Sequence, residues 1–412
     1  MATDTPAVPD DEIEIGQPLP FSVYNARGRL IMQRGEVVDS RHQRAMLLTE
    51  GVSIAREGDP APEPVEEPDD DEEEEETGDG EQVGESDSES AQVFRTMRPE
   101  APSARYFNPF MEMERICTVV TKAFNAFKNG ESTFSARILR LAHRIDSLVQ
   151  YDPSAMITAT LSERELSYTI SHCLEMAVVG SAMAGKAGLS EQERVDAICA
   201  ALTGNIGMLR LQERLEGFAG KISEKVRSAL REHPRRSYDL LKGMPHVSPG
   251  WLKAVLQHHE RVDGQGYPNG ISGKAIARIV PPIAIADAYL ALVAPRGYRH
   301  AVDPPQALEY IIQQGGQAWP EQWSKVLLDT VGLHPPGAYV RLSDNRIGLV
   351  VRPGKEDKKK PLVAIAMEGH NKRVHRGQII DLADPGSPSI TGSVSPNDLT
   401  VPINHALVCG YE

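Results

Sequence analysis

The chain has 412 residues, enough for two or three domains that each bury a core, and its composition is that of a soluble globular protein. Its formal charge of −14 comes from one place: residues 57–90 hold 18 Asp or Glu and no Lys or Arg, leaving 44 basic against 40 acidic residues elsewhere. That near-neutral remainder offers no basic stripe for nucleic acid, since the run KEDKKK at 355–360 reads as a solvated loop, and four scattered cysteines exclude a disulfide framework or a CxxC zinc pair.

The first residues, MATDTPAVPDDEIEI, have neither a basic segment nor an apolar core, so no signal peptide is expected. The most apolar long window, IVPPIAIADAYLALVAP, is broken by prolines and Asp287, and no run reaches the roughly 20 residues of a membrane span. These features predict a cytoplasmic protein.

Residues 1–56 read as a small α+β module. FSVYNARGRLIMQRG suggests a hairpin around Asn25 and Gly28, and DSRHQRAMLLTEG a short helix capped by Asp39 or Ser40 and stopped by Gly51. Residues 57–92 are one-signed in charge and nearly free of large apolar side chains, the composition of a disordered linker.

Residues 93–334 read as a helical domain. Ile116, Val119, Val120, Ala123, Phe124 and Phe127 follow the 3.6-residue period up to Gly130, and Phe134, Ile138, Leu141, Ile145 and Leu148 continue it. SERELSYTISHCLEMAVVGSAMAG is apolar on both faces, with His172 on the stripe of Met176, Val179 and Met183, which predicts a helix buried in a bundle. SEQERVDAICAALTGNIG opens with a capping box, Ser190 and Glu193, and stops at Gly204. After His334 the period changes to that of short strands, with turns at Asp344-Asn345 and Gly354, so residues 335–412 predict a small β-rich module. The fold class is mainly α, a helical bundle with small accessory modules at both ends.

The chemistry-bearing residues of the helical domain are His172, His233, His258, His259 and Asp287. Imidazole and carboxylate suit divalent first-row metals, and a pair of such ions can hold a phosphodiester and its attacking water. His258 and His259, if helical, diverge by about 100 degrees about the axis and need other helices to close around them. A histidine on an apolar stripe, as His172 is, serves as a core residue as readily as a ligand. The glycines that follow, Gly264, Gly266, Gly270 and Gly273, permit close backbone approach around Pro268, as an ordinary turn after a helix also does.

HHERVDGQGYPNGISGKAI, from His258 to Ile276, resembles the signature HHExxDGxGYPxGxxGxxI of the HD-GYP family of bacterial cyclic di-GMP phosphodiesterases. YTISHCLEMAVV, EHPRRSYDLLKGM and IADAYLALVAPRGYR are similar to further family segments, so the resemblance covers roughly residues 112–330 and implies an HD-type helical bundle. It implies metal positions at His172, His233, His258, His259 and Asp287, and substrate or partner contacts at Asp263, Gly264, Gly266, Tyr267, Pro268 and Arg278.

The motif that names the family is absent. Where the family has HDIGK this chain has GNIGM, with Gly204, Asn205 and Met208 in place of its histidine, aspartate and lysine. Gly204 has no ligand atom, neutral Asn205 cannot serve as an anionic bridge, and Met208 cannot steady a phosphate charge. By the family's geometry one metal keeps only His172 and Asp287, while the other keeps His233, His258 and His259 and can hold a single Zn, Fe or Mn ion. The paired glycine and asparagine, both tolerant of left-handed backbone, predict a good helix stop.

Three readings follow. One is a hydrolytically impaired protein of cyclic di-GMP signalling that binds the nucleotide, its linear dinucleotide or a partner. A second is an active phosphodiesterase in which Glu175, Asp239 or Glu260 replaces the missing bridge. The third is an adaptor whose GYP loop docks diguanylate cyclase (GGDEF-type) domains without nucleotide.

Overall fold

The structure, a computed structural model, describes residues 107–162, 166–215, 223–294, 301–369, 372–374, 377–399 and 402–411, with 9, 12–14, 17–24, 30–36, 38, 47 and 53–56 in the N-terminal part. The chain divides into two compact units, Met1–Val83 and Gly84–Glu412.

In the first unit, β1 (Ser22–Tyr24) pairs antiparallel with both β2 (Leu30–Met32) and β3 (Ser53–Ala55). Ile13, Leu19, Phe21, Val23, Met32, Val38 and Leu47 form its core. The turn expected at Asn25 and Gly28, nearly all of the helix expected from Asp39 to Gly51, and the acidic segment lie outside the described residues.

The second unit begins with α1 (Pro109–Lys128), started by the Asn108 side chain accepting from the Phe110 and Met111 amides, and α2 (Phe134–Tyr151). Of the apolar positions read in α1, Val119 is exposed while Ile116, Val120, Ala123 and Phe124 are buried. The chain continues through α3 (Pro153–Ser162) into α4 (Tyr168–Lys186), which is buried nearly all round, and α5 (Glu191–Thr203), whose capping box of Ser190 and Glu193 is formed. A buried carboxylate ties three of these helices together. Asp146 on α2 accepts from Arg194 Nε (2.8 Å) and Nη2 (2.9 Å) on α5 and from Ser181 Oγ (3.2 Å) on α4.

After α5 come α6 (Leu209–Leu215), α7 (Glu224–Arg231), α8 (His233–Leu241), α9 (Pro249–Gln257), α10 (Val280–Val293), α11 (Pro304–Gln313) and α12 (Gln322–Val331). Two bonds lay α9 along α5: Ser248 Oγ donates to Asp196 Oδ1 (2.7 Å), and Trp251 Nε1 donates to Thr203 Oγ1 (2.7 Å). Helix α4 crosses α10 closely, where a Cβ on Gly180 would stand 3.1 Å from Ile283 Cγ2. Through these contacts the ends of α5 and α9, the start of α8 and the middle of α10 meet beside α4. No helix among the described residues is long and apolar enough to cross a membrane.

The β-rich part is an antiparallel sheet in the order β7-β6-β5-β4-β9, with β8 also on β6: β4 Tyr339–Leu342, β5 Ile347–Arg352, β6 Leu362–Glu368, β7 Lys372–Arg373, β8 Ile379–Asp381, β9 Ile390–Val394. Asn345 turns the β4–β5 hairpin with φ +69°, a left-handed conformation asparagine tolerates. The α13 helix (His405–Val408) was not expected, because one turn carries no readable period. Its His405 ring stacks on Phe110 of α1, and Arg352 of β5 pairs with Asp152, so sheet and bundle share one unit.

Candidate metal centre

His233 is the first residue of α8, His258 caps α9, His259 follows it, His172 lies on α4 and Asp287 on α10. The fold brings all five together. His172 Nε2 stands 2.8 Å from Asp287 Oδ1, His259 Nδ1 stands 3.6 Å from Asp287 Oδ2, and His233 Nε2 stands 3.1 Å from His258 Nε2. His233, His258 and His259 offer ligand atoms all within 4.8 Å of one another.

The divergence expected of His258 and His259 does not occur, because α9 ends at Gln257 and both residues lie past its last helical position. Their ring centroids are 4.2 Å apart, on one cluster. The left-handed stop expected at Gly204 and Asn205 is also corrected. Gly204 has φ −56° and ψ −30°, Asn205 φ −98° and ψ 1°, and the chain passes into a one-turn 3-10 helix, Ile206–Met208. A left-handed residue is unnecessary there because Ser237 Oγ donates to the Gly204 carbonyl (2.5 Å) and accepts from the Gly207 amide (2.9 Å). A Cβ at position 204 would stand 3.0 Å from the Ala200 carbonyl oxygen and 3.3 Å from His258 Cε1, so a larger residue there would shift these neighbours by a few tenths of an ångström.

The proton positions of the two facing histidines follow from their other partners. His233 Nδ1 donates to the Leu230 carbonyl (2.5 Å) and His258 Nδ1 to the Val255 carbonyl (2.7 Å), since a carbonyl can only accept. Burial and the neighbouring His258 push the His233 imidazole down to about 3; burial likewise lowers His258, and burial with the surrounding imidazoles holds His259 well below its ordinary range. With one proton each, already on Nδ1, His233 and His258 turn two bare Nε2 lone pairs toward each other at 3.1 Å. That repulsion is relieved by a cation between them. Nitrogen donors at this spacing, with His259 as a third and the Nδ1 protons fixed by carbonyls, fit a divalent ion at the roughly 2.0–2.1 Å typical of zinc–imidazole bonds.

The other pair is closed on itself. His172 Nε2 donates to Asp287 Oδ1, leaving His172 Nδ1 buried without a partner. Burial would raise the Asp287 carboxyl, but the bond from His172 and the imidazoles around it outweigh it and hold the group low. Asn205 Oδ1 is buried without a hydrogen-bond partner among the described residues and supplies no negative charge. Of the acids considered as substitutes, Glu260 spends both oxygens on the Asn269 and Ile271 amides (2.7 and 3.1 Å), Asp239 is exposed on α8, and Glu175 is not among the grouped ligand atoms.

The GYP loop packs onto the cluster. The Tyr267 ring stacks on His259 with centroids 4.7 Å apart, and the Tyr267–Pro268 peptide is cis. Gly266 is obligatory, because a Cβ there would stand 2.4–2.6 Å from the His259–Arg261 backbone. Gly264 has φ +75°. Asp263 is turned to Arg261 (2.7 Å) and the Gln265 amide (2.9 Å), away from the histidines. Arg278 is not brought to the cluster either, as it pairs with Glu193 (3.3 Å) and Gly188 O (3.3 Å) at the far end of α5. Ser237 escaped the sequence reading, although its place four residues after His233, on the same face of α8, is a signal that points to it.

These groups set the acid stability of metal-stripped protein. An unfolded histidine takes up its proton near 6.5, whereas folded His233 waits until about 3, so that share of stability is complete above pH 6.5 and is lost as pH falls through that window. Low-held Asp287 acts in the same sense below its ordinary 3.8. Asp196, raised to about 6 by burial, acts oppositely, its share being present below 3.8 and lost as pH rises through 6. Denaturant titration of chelator-treated protein is expected to give a lower midpoint at pH 5 than at pH 7.5. A rising midpoint would mean that Asp196 outweighs the histidines.

A family model described as an HD domain matches residues 160–320. The chain is 25% identical over 272 residues to a cyclic di-GMP phosphodiesterase of Pseudomonas aeruginosa, covering 66% of each chain. It is 34% identical over 155 residues to the cyclic di-GMP phosphodiesterase response regulator RpfG of Xanthomonas campestris pv. campestris, covering 37% of this chain and 41% of that protein. Among solved structures, an HDG"Y"P protein from Bdellovibrio bacteriovorus aligns with a TM-score of 0.48 at 14% identity, over 77% of this chain and 96% of that one. The chain thus spans less than two thirds of the length of these two curated relatives.

Proposed function

We propose that this chain, whose residues 160–320 carry an HD domain of the HD-GYP kind, is a cyclic di-GMP signalling protein that binds the nucleotide beside a single divalent metal and hydrolyses it weakly or not at all. The observation that carries this reading is the unequal state of the two halves of the cluster. His233 and His258 face each other with bare nitrogens at 3.1 Å, with His259 as third donor, while His172 and Asp287 already satisfy one another at 2.8 Å. A second ion would have to break that pair, and neither Gly204 nor Asn205 offers the negative bridge that would compensate.

His233, His258 and His259 would hold the ion, which when bound would supply Lewis acidity. The protein's own residues do the rest. The carbonyls of Leu230 and Val255 hold two imidazoles in the ligating tautomer, the Tyr267 ring covers His259, and the tight Gly264–Gly270 turn, held by Glu260, presents one wall to a nucleotide.

Metal analysis of the purified full chain, run beside a cyclic di-GMP hydrolysis assay, tests the proposal. One ion of Zn, Fe or Mn per chain is expected, with nucleotide binding and turnover far below about 1 per second, the lower end of usual enzyme rates. Two ions per chain together with turnover at or above that rate would refute it.

A further inference from the structure

The turn at 204–208 carries no cation for an anionic ligand, since Met208 stands at its end. The helix packed against it carries two, Arg235 and Arg236. On α8, His233, Arg236 and Ser237 share a face, at spacings of three and four residues. Ser237 bonds Gly204 and Gly207, and a Cβ on Gly207 would stand 2.7 Å from Arg236 Cβ, so Arg236 rises from the seam between α8 and the turn, one helical turn from a metal-facing histidine.

The arginines nearby divide by what they already do. Arg235 donates to Asn269 Oδ1 (2.7 Å) and lies 5.9 Å over the Tyr238 ring, which holds the GYP loop to α8. Arg236 is exposed and makes no side-chain hydrogen bond or ion pair among the described residues; Glu232, one turn earlier, meets it only through a backbone bond to the Arg236 amide. Arg231, at the end of α7 two residues before His233, is likewise exposed and without such a partner among the described residues. Two uncommitted guanidinium groups therefore flank His233, Arg231 two residues before it at the end of α7 and Arg236 three residues after it beside the 204–208 turn.

We infer that Arg236 and Arg231 bind the phosphodiester groups of the nucleotide, supplying from α8 and the end of α7 the positive charge that Met208 withholds. The inference rests on the nucleotide-binding reading above and names the residues that carry it. Guanidinium suits the task because its planar donors meet two phosphate oxygens at once and stay charged at any working pH. The assignment is of binding residues: neither arginine reaches the three histidines in the described contacts.

Titration of cyclic di-GMP into the full chain by calorimetry is the test, with the wild type, R231A, R236A, R231A/R236A and, as a control on the sheet, R346A. Each single variant is expected to weaken binding about tenfold, and the double variant more, as for the loss of charged hydrogen bonds. Metal content and melting temperature should stay at wild-type values, and R236K should recover part of the loss because it returns the charge without the fork. A second probe without bases, bis(4-nitrophenyl) phosphate, separates phosphodiester binding from recognition of the nucleotide. If the wild type ignores cyclic di-GMP yet its affinity for this phosphodiester drops in R231A/R236A, the nucleotide reading fails and the arginine assignment stands. A double variant that matches the wild type toward both probes, or one that loses its metal, overturns the assignment.

Discussion

Replacing His258 by alanine is expected to strip the protein of its metal. His258 contributes one of three donors, its Nε2 lies 3.1 Å from that of His233, and its ring is buried where water cannot easily stand in for it. Losing an outer-shell partner weakens metal binding by about 10- to 100-fold, so losing a ligand from a three-histidine site should cost at least about 100-fold. Dialysed H258A should contain almost no ion by elemental analysis, and H233A should behave alike. His172→Gln, which keeps an amide donor for Asp287, should retain its ion because His172 Nε2 is turned to that carboxylate. A full ion in H258A, or its loss in His172→Gln, would move the metal to the other half of the cluster.

Glu260→Ala is expected to release the GYP loop. The carboxylate is buried and accepts from the Asn269 amide at 2.7 Å and the Ile271 amide at 3.1 Å. Truncation leaves both donors without their charged acceptor, at about 1.5–3 kcal/mol for each such bond, and most of the loss should appear as local opening rather than global unfolding. Hydrogen exchange at Asn269 and Ile271 should accelerate by about 30-fold or more, while the amides of α4 keep their protection. Glu260→Gln, with one acceptor oxygen left, should fall between. Unchanged exchange at both positions would show that the glycine-rich turn holds its shape unaided.

Glu260 also shows how far residue type alone can be read. As an acid next to the paired histidines it qualified as a substitute bridge, yet its oxygens face the loop that follows it. Arg278 and Asp263 belong to the same class: each has the right chemistry at the expected spacing, and each is paired elsewhere, with Glu193 and with Arg261. Spacing along a chain places a residue on a helix or in a loop, but the direction of a side chain leaving a loop depends on partners remote in sequence. The helices were legible because burying one face imposes the 3.6-residue period locally. Ser190 and Glu193 announced the start of α5 for a similar reason, since a capping box is completed within four residues.

By itself the sequence determined the helical bundle, the strand-rich C-terminal part, the presence of five metal-competent side chains, and the absence of a side-chain ligand atom at Gly204 and of negative charge at Asn205, because each of these depends on residue identity or on a short-range period. Only the tertiary structure decided that His258 and His259 converge past the end of α9, that His172 is bonded to Asp287, and that Ser237 and Arg236 meet the 204–208 turn. The last two outcomes join residues between about 30 and 115 positions apart, through helix crossings and buried hydrogen bonds whose geometry no local pattern encodes.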